Sequence, residues 1–330
     1  MVALIVGFAC AAVSSQEFYD PFNYKAGTTI PGYTEQRGDW MATGTAVQSQ
    51  STVTFQELVN DTYTDLDCCV ETTAIYDMNS PNLMYTGPLL RYTGSGSSQK
   101  YIMIKLQDNS TPRDGFDRGF TYFCSGGSSF SYIGTYFDIS PATKRARVRL
   151  QAIDQGSTVL VHTFVDTDMD GKWDIVRSAT TGSGLGQSGK IGICGYRNAI
   201  ADDLKFFNAT LYLSGTPQIG TAVKLPGRAS PSLGYIGACS FGNSGFPVGG
   251  GKSIPLSVDP LLILTATNAV PLFFQNFQGR TDAQGDFTMV LNIPQVPALV
   301  GNTIWASAVT LSKTGAIAEV APDVEIAFTK

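Results

Sequence analysis

From residue 16 onward, short stretches rich in β-branched and aromatic residues alternate apolar with polar positions and stop at clusters of Gly, Pro, Asn and Asp. A period of two sends successive side chains to opposite faces of a strand. The pattern predicts strands over 52–58, 72–77, 100–106, 130–137, 145–153, 159–165, 190–194 and 204–213. It predicts more over 221–225, 261–266, 287–293, 303–311 and 324–328, and no long amphipathic helix after residue 16. Many short strands between turn signals read as an all-β protein of sandwich or jelly-roll type. The character changes near Ser214-Gly-Thr-Pro217, where Pro and Gly become more frequent and charges sparser. The expectation is a jelly roll over 16–214 and a smaller, Ig-like β-sandwich over 215–330.

Residues 1–15 form an uncharged apolar run ending in small residues, Ala11-Ala-Val-Ser-Ser15. That is the pattern of a secretory signal peptide, and too short to span a bilayer. It places the protein outside the cell or at its surface. The 330 residues carry only 15% charged side chains, with net charge −5. A chain without a basic surface is a poor match for nucleic acid, whose phosphates must be neutralised. It is equally poor for a polybasic membrane anchor. Beyond Cys10 the cysteines are Cys68, Cys69, Cys124, Cys194 and Cys239. The odd number leaves at least one thiol unpaired. Cys68 and Cys69 point to opposite faces of one strand, either could meet Cys124, and the connectivity stays open.

The order of several loose motifs over residues 17 to about 213 resembles the laminin-G-like, or concanavalin-like, jelly roll of secreted proteins. They are Phe18-Tyr-Asp-Pro-Phe22, Gly38-Asp-Trp40, Gly87-Pro-Leu-Leu-Arg91-Tyr92 and Tyr101-Ile-Met-Ile-Lys-Leu106, then Gly189–Arg197 and Asp202–Phe207. The resemblance implies that the last two segments are the strand pair closing the sandwich. It also implies binding of glycans or proteins, often with calcium, or glycoside hydrolysis in some relatives. Fold alone does not choose among them. Residues 217–330 look like a small β-sandwich appended to secreted bacterial proteins, which implies no activity.

The sharpest chemical signal is Asp166-Thr-Asp168-Met-Asp170-Gly171-Lys-Trp173-Asp174. Calcium takes six to eight oxygens, and alternating carboxylates followed by a glycine turn can supply several. The flanks read as strands, and position twelve is Arg177 rather than Glu, so this is no EF-hand. Asp166, Asp168, Asp170 and Asp174 are the expected calcium ligands on a hairpin. A plain acidic turn is the competing reading, because Asp-Gly is also a hairpin dipeptide. Asp65, Asp67 and Glu71 would share one strand face. They depart from the Glu-x-Asp-x-x-Glu spacing of concanavalin-like glycosidases, and a solvated face is the expectation. Arg145, Arg147 and Arg149 alternate with Ala146, Val148 and Leu150, which describes a half-exposed strand with its arginines neutralised by acids. Trp40 and Trp305 read as core, and Trp173 as an exposed ring able to stack on sugar. Arg91, Tyr92, Tyr196 and Arg197 are expected at the rim of the same ligand site. His162, the single histidine, reads as a partly buried structural residue.

These features favour a secreted, non-catalytic protein that binds glycan or extracellular matrix with calcium. The alternatives are a surface or fibre subunit assembling through strand edges, and a glycoside hydrolase on the same fold.

Overall fold

The structure is a computed structural model that describes residues 18–37, 39–50, 55–65, 67–78, 84–109, 114–126, 129–182, 188–249 and 252–330. The signal peptide expected over residues 1–15 lies outside the described residues, as does Cys10. The chain divides into two compact units, one of Tyr19–Phe206 and one built on Phe207–Lys330. Both are all-β apart from short helical turns.

The first unit stacks two eight-stranded sheets, as expected for a jelly roll. Sheet I runs β14 (Ile175–Gly182), β13 (Thr158–Asp166), β12 (Arg145–Asp154), β6 (Cys68–Ile75), β16 (Ile200–Phe207), β4 (Val47–Ser49) and β3 (Trp40–Ala42). β1 (Phe18–Asp20) also pairs with β16. Sheet II runs β10 (Ser129–Tyr132), β9 (Phe116–Ser125), β8 (Lys100–Gln107), β7 (Tyr85–Thr93), β15 (Gly189–Tyr196), β5 (Phe55–Asp65) and β2 (Tyr33–Arg37). β11 (Phe137–Thr143) also pairs with β9. The strand pair implied by the resemblance does close the unit. β15 inserts between β7 and β5 in one sheet, and β16 between β6 and β4 in the other.

Two contacts show which faces meet. Thr121 of β9 and Thr163 of β13 bring their hydroxyl oxygens to 2.9 Å across the interior. A Cβ on Gly195 of β15 would lie 2.9 Å from the Trp40 ring of β3. By alternation, Val148, Leu150 and Ala152 point inward, all fully buried. Truncating a leucine packed like Leu150 costs about 2–5 kcal/mol, the lost transfer energy plus the cavity. The same alternation sends Arg147, Arg149 and Gln151 to the outer face of sheet I. It sends Arg118, Phe120, Tyr122 and Cys124 to the outer face of sheet II.

The second unit packs a sheet of β17 (Thr210–Leu211), β18 (Ala222–Arg228), β24 (Asp286–Asn292) and β22 (Phe274–Gln275) with a second sheet. The latter has β23 (Gln278–Arg280), β19 (Gly234–Ser240), β25 (Thr303–Leu311) and β26 (Ile317–Val320), with β27 (Val324–Ala327) also on β25. Leu225, Cys239, Phe277, Met289, Ala306 and Ile326 belong to its core. β20 (Phe246–Gly249) and β21 (Lys252–Ile254) form a separate hairpin.

One predicted strand is corrected here: 261–266 is helical, within α1 (Pro260–Ala266). Asp259 caps it by accepting from the Leu262 N–H at 2.9 Å, and Pro260 opens the first turn. Proline there loses no needed donor and its φ is preset for helix. A short apolar run cannot separate strand from helix by periodicity, so the Asp-Pro pair decides.

Cys68, Cys69, Cys124, Cys194 and Cys239 are all buried, and no disulfide joins any two of them. The pairing considered with Cys124 is excluded by the layering. Cys68 faces the interior, Cys69 the outer face of sheet I, and Cys124 the outer face of sheet II.

Candidate functional site

The acidic hairpin is where the pattern placed it, between β13 and β14. Asp166 is buried, 1% exposed, at the last position of β13. Its carboxylate accepts from the N–H groups of Met169 at 2.7 Å and Gly171 at 3.1 Å. Gly171 holds φ +93°, a conformation that costs a side-chain-bearing residue. Asp174 accepts from the N–H of Thr167 at 2.7 Å. Ligand oxygens of Asp166, Asp168 and Asp174 all lie within 4.8 Å of one another. Asp170 is the correction to the expected set of four. One of its oxygens accepts from the Lys172 N–H at 2.8 Å, and the other faces Lys172 Nζ at 3.9 Å.

Burial pushes the Asp166 carboxyl above its usual range, against the pull of Arg147 and the two backbone donors. Arg147 Nη2 lies 3.3 Å from Asp166 and donates to the Gly171 carbonyl at 2.8 Å. Three converging carboxylates suit a hard cation, and water and backbone carbonyls complete such shells. An ion held here would share Asp166 with Arg147.

Trp173 is not the exposed ring that was expected. It is 9% exposed, with its ring 4.0 Å from the Arg147 guanidinium carbon and 4.6 Å from that of Arg149. Arginine favours such stacking because the ring face is electron-rich. The loop thereby folds onto the outer face of sheet I. Beneath it, Glu71 receives Arg149 at 2.7 Å and Lys205 at 3.2 Å, with Arg147 at 4.0 Å. Burial alone would raise the Glu71 pKa, but Lys205, Arg149 and Arg147 together hold it well below the ordinary carboxylate range. Acids do neutralise the arginine row as expected, but around Glu71, Arg147 and Arg149 they form a closed ionic network in place of a solvated face. Asp67, the second acid of that row, faces Arg91 at 3.6 Å.

Arg91 and Tyr92 are corrected in the same way. They lie in β7, 1% and 4% exposed, and offer no rim. Arg91 sits at a bulge with φ +55°, and Gly189 on β15 provides the room, since a Cβ there would come within 2.3 Å of the Arg91 backbone. His162 is buried as expected, with Nδ1 2.7 Å from the Ser178 hydroxyl, and burial pushes its pKa down to about 4.

Tyr196 and Arg197 do lead to an open surface, on the outer face of sheet II. Tyr196 stacks on Tyr85, centroids 5.1 Å apart and planes 9° from parallel. The Arg197 guanidinium lies 4.8 Å from the Tyr196 ring centre. Lys105 Nζ sits 4.5 Å from the Tyr85 centroid, 5.3 Å from Phe120 and 5.4 Å from Tyr122. Beyond these come Tyr132, 4.8 Å from Tyr122 and 5.9 Å from Phe120, then Tyr136, 6.0 Å from Phe120 and capped by Arg118 at 4.6 Å. Tyr132 is 63% exposed, Tyr136 52% and Phe130 38%. The solvent-facing rings of Phe130, Tyr132 and Tyr136 rest on the buried rings of Phe120 and Tyr122, beside buried Tyr85, and make a platform for a flat apolar face with hydroxyls and cations at its border.

The platform was missed in the sequence, although its signal is present. Phe116, Arg118, Phe120, Tyr122 and Cys124 alternate along one strand, and Phe130 and Tyr132 along the next. At the other end of this face Glu57 is fully buried and accepts from Tyr101 at 2.7 Å, Gln99 at 3.1 Å and Tyr92 at 3.4 Å.

No family pattern and no characterised protein sequence matches the chain. Solved structures similar to it include the carbohydrate-binding module CBM66 from Bacillus subtilis, 15% identical over 52% of this chain and 91% of that one, TM-score 0.39. The VIP36 exoplasmic/lumenal domain in its Ca2+/Man2-bound form is 16% identical over 58% of this chain and 87% of that one, TM-score 0.39. Lectin II from Ulex europaeus is 11% identical over 58% and 97%, TM-score 0.37. The functional reading rests on this chain's own side chains.

Proposed function

We propose that this is a secreted, non-catalytic protein that binds glycan, or glycan-bearing extracellular matrix, on the aromatic outer face of sheet II. The observation that carries the reading is the platform of exposed Phe130, Tyr132 and Tyr136 and half-buried Tyr196, supported from beneath by the buried rings of Tyr85, Phe120 and Tyr122. Sugars present C–H faces that stack on such rings, and ring-border hydroxyls meet sugar hydroxyls. Tyr196 and Arg197 belong to the site, whereas Trp173, Arg91 and Tyr92 do not reach it. Laminin-G-like kinship and calcium held by Asp166, Asp168 and Asp174 are part of the same proposal. The ion would neutralise the loop rather than touch the ligand platform. Cleavage is a weaker reading. Glycosidases set two carboxyl groups about 5–9.5 Å apart around the linkage, and Glu57 is locked to three neutral donors. The buried cysteines do not oppose secretion, because burial keeps thiols inert.

A glycan array with and without a calcium chelator tests this, alongside a Tyr132→Ala/Tyr136→Ala double variant. Glycan binding by the wild type and its loss in the folded variant are expected. Undiminished binding by the variant would remove the platform from the proposal. No binding by the wild type would sink the glycan reading.

A second reading has its own observation. β14 ends sheet I with eight residues, mostly exposed, and Arg177 is the charge among them. Such an edge is a template for pairing with another chain. A concentration-dependent mass in light scattering, abolished by Thr180→Pro, would favour self-assembly.

A further inference from the structure

We infer that the glycan bound on sheet II is anionic, carrying a carboxylate or sulfate that Lys105 and Arg197 receive; this rests on the platform being a glycan site. Elsewhere in the first unit, most of the buried and half-buried cations meet acids. Arg91 faces Asp67, Arg118 faces Asp138, Arg145 faces Asp202, Arg147 faces Asp166, Arg149 and Lys205 face Glu71, and Lys190 faces Asp61. Lys105 breaks this pattern. It is half-buried, and among the described residues no acid lies within ion-pair distance of Nζ. Its surroundings are the faces of Tyr85, Phe120 and Tyr122. Burial pulls its ammonium below the ordinary lysine range.

Arg197 repeats the arrangement on the neighbouring ring. Its guanidinium covers Tyr196, its backbone holds φ +51°, and its Nε is buried without a hydrogen-bond partner. A left-handed backbone at a non-glycine residue carries strain, and such strain collects at ligand sites. A buried N–H donor left unsatisfied costs about 1–3 kcal/mol. The stacked pair Tyr85 and Tyr196 thus carries one acid-free cation on each ring. A neutral sugar would leave both charges uncompensated as it displaced their water. An anionic sugar on the neighbouring exposed rings would give the two cations the oxyanion they lack, with guanidinium suited to the two oxygens of a carboxylate or sulfate.

The test is calorimetric titration of the full chain with four ligands. They are oligogalacturonate, its methyl ester, a heparin-derived tetrasaccharide and maltotetraose. The methyl ester removes the charge and leaves the ring unchanged, and the heparin fragment distinguishes sulfate from carboxylate. At least ten-fold tighter binding of one charged ligand than of the neutral pair is expected, weakening as salt rises. Lys105→Met and Arg197→Gln should each reduce that preference about ten-fold, and Lys105→Arg should retain it. Near-UV circular dichroism establishes that each variant is folded. Binding in which neither galacturonate nor the heparin fragment exceeds the methyl ester and maltotetraose would overturn the inference and leave the glycan platform standing. Binding of none of the four, with a glycan array also silent, would remove both.

Discussion

The two outer faces of the first unit handle charge in opposite ways. On sheet I, Glu71 gathers Arg149, Lys205 and Arg147, while Arg147 also serves Asp166, and Trp173 closes over both arginines. On sheet II, Lys105 and Arg197 rest on tyrosine rings and meet no acid among the described residues. A charge saturated by its own protein has little left to offer a ligand. Its work is to hold strands β6, β12 and β16 in one arrangement. A charge stationed on an aromatic ring keeps its field available. In this unit the face crowded with ion pairs is scaffold, and the aromatic face of sheet II, where Lys105 and Arg197 meet no acid among the described residues, is the proposed binding surface.

The largest effect should come from breaking the saturated face. Glu71→Ala strands the buried Arg149 and removes a partner of the partly exposed Arg147 and Lys205, and removing one partner of a buried pair costs about 3–5 kcal/mol. Lys105→Met strands no acid and should cost less than about 1 kcal/mol. Urea unfolding of both variants checks the contrast, and equal losses would dissolve it. The contribution of Glu71 has a pH signature. Its folded pKa lies below the ordinary 4.5, so the stabilisation is complete above that pH and fades as pH falls below it.

His162 measures the closure of the same face. The unfolded chain takes up a proton near pH 6.5, whereas the buried ring resists until about 4. Stability should therefore fall as pH drops from 6.5 to 4, by up to about 3 kcal/mol. Above 6.5 the ring is neutral in both states and contributes no slope. His162→Gln should shed that part of the pH dependence in unfolding curves at pH 7.5 and 4.5. Parallel curves for wild type and variant would mean that the face admits water.

Both faces were half legible in the sequence. Alternation located β8, β12, β13 and β25, because strict period-two patterns survive whatever packs on them. It could not say which side of a strand meets the core. The arginines of 145–149 looked like the wet side, yet Glu71, 78 residues before Arg149, arrives on the neighbouring strand and closes the network. Phe120 and Tyr122 lie on β9, a strand outside those the pattern predicted, and they support exposed rings. The acidic hairpin was readable because its chemistry is local. Trp173 was misplaced because its partners come from another strand. The helix at 260–266 was hidden in an apolar run too short to show a period.

A smaller effect sharpens the sheet II side. Truncating Tyr132 and Tyr136 together should weaken glycan binding about 100-fold, roughly 2.7 kcal/mol. Both rings project into solvent, so the change in folding stability should stay within about 0.5 kcal/mol. A variant that binds poorly because it has unfolded would show in the same urea titration.

The smallest effect concerns the acidic loop, whose exposed carboxylates the sheet I arginines do not saturate. Arg147 serves Asp166, but Asp168 and Asp174 are exposed and converge with it on a common point. If that point takes calcium, ten times the dissociation constant should stabilise the unit by about 1.4 kcal/mol. In a unit of this size that raises the melting midpoint by roughly 3–6 °C. Asp174→Asn should abolish the rise. Asp170→Asn should leave it within about 0.5 kcal/mol of wild type, because the Asp170 carboxylate is turned toward Lys172. Equal loss in both variants would mean a diffuse field of four acids rather than a three-oxygen site. An unchanged midpoint in the wild type would reduce the loop to a turn held by its own backbone donors, as Asp166 already holds Met169 and Gly171.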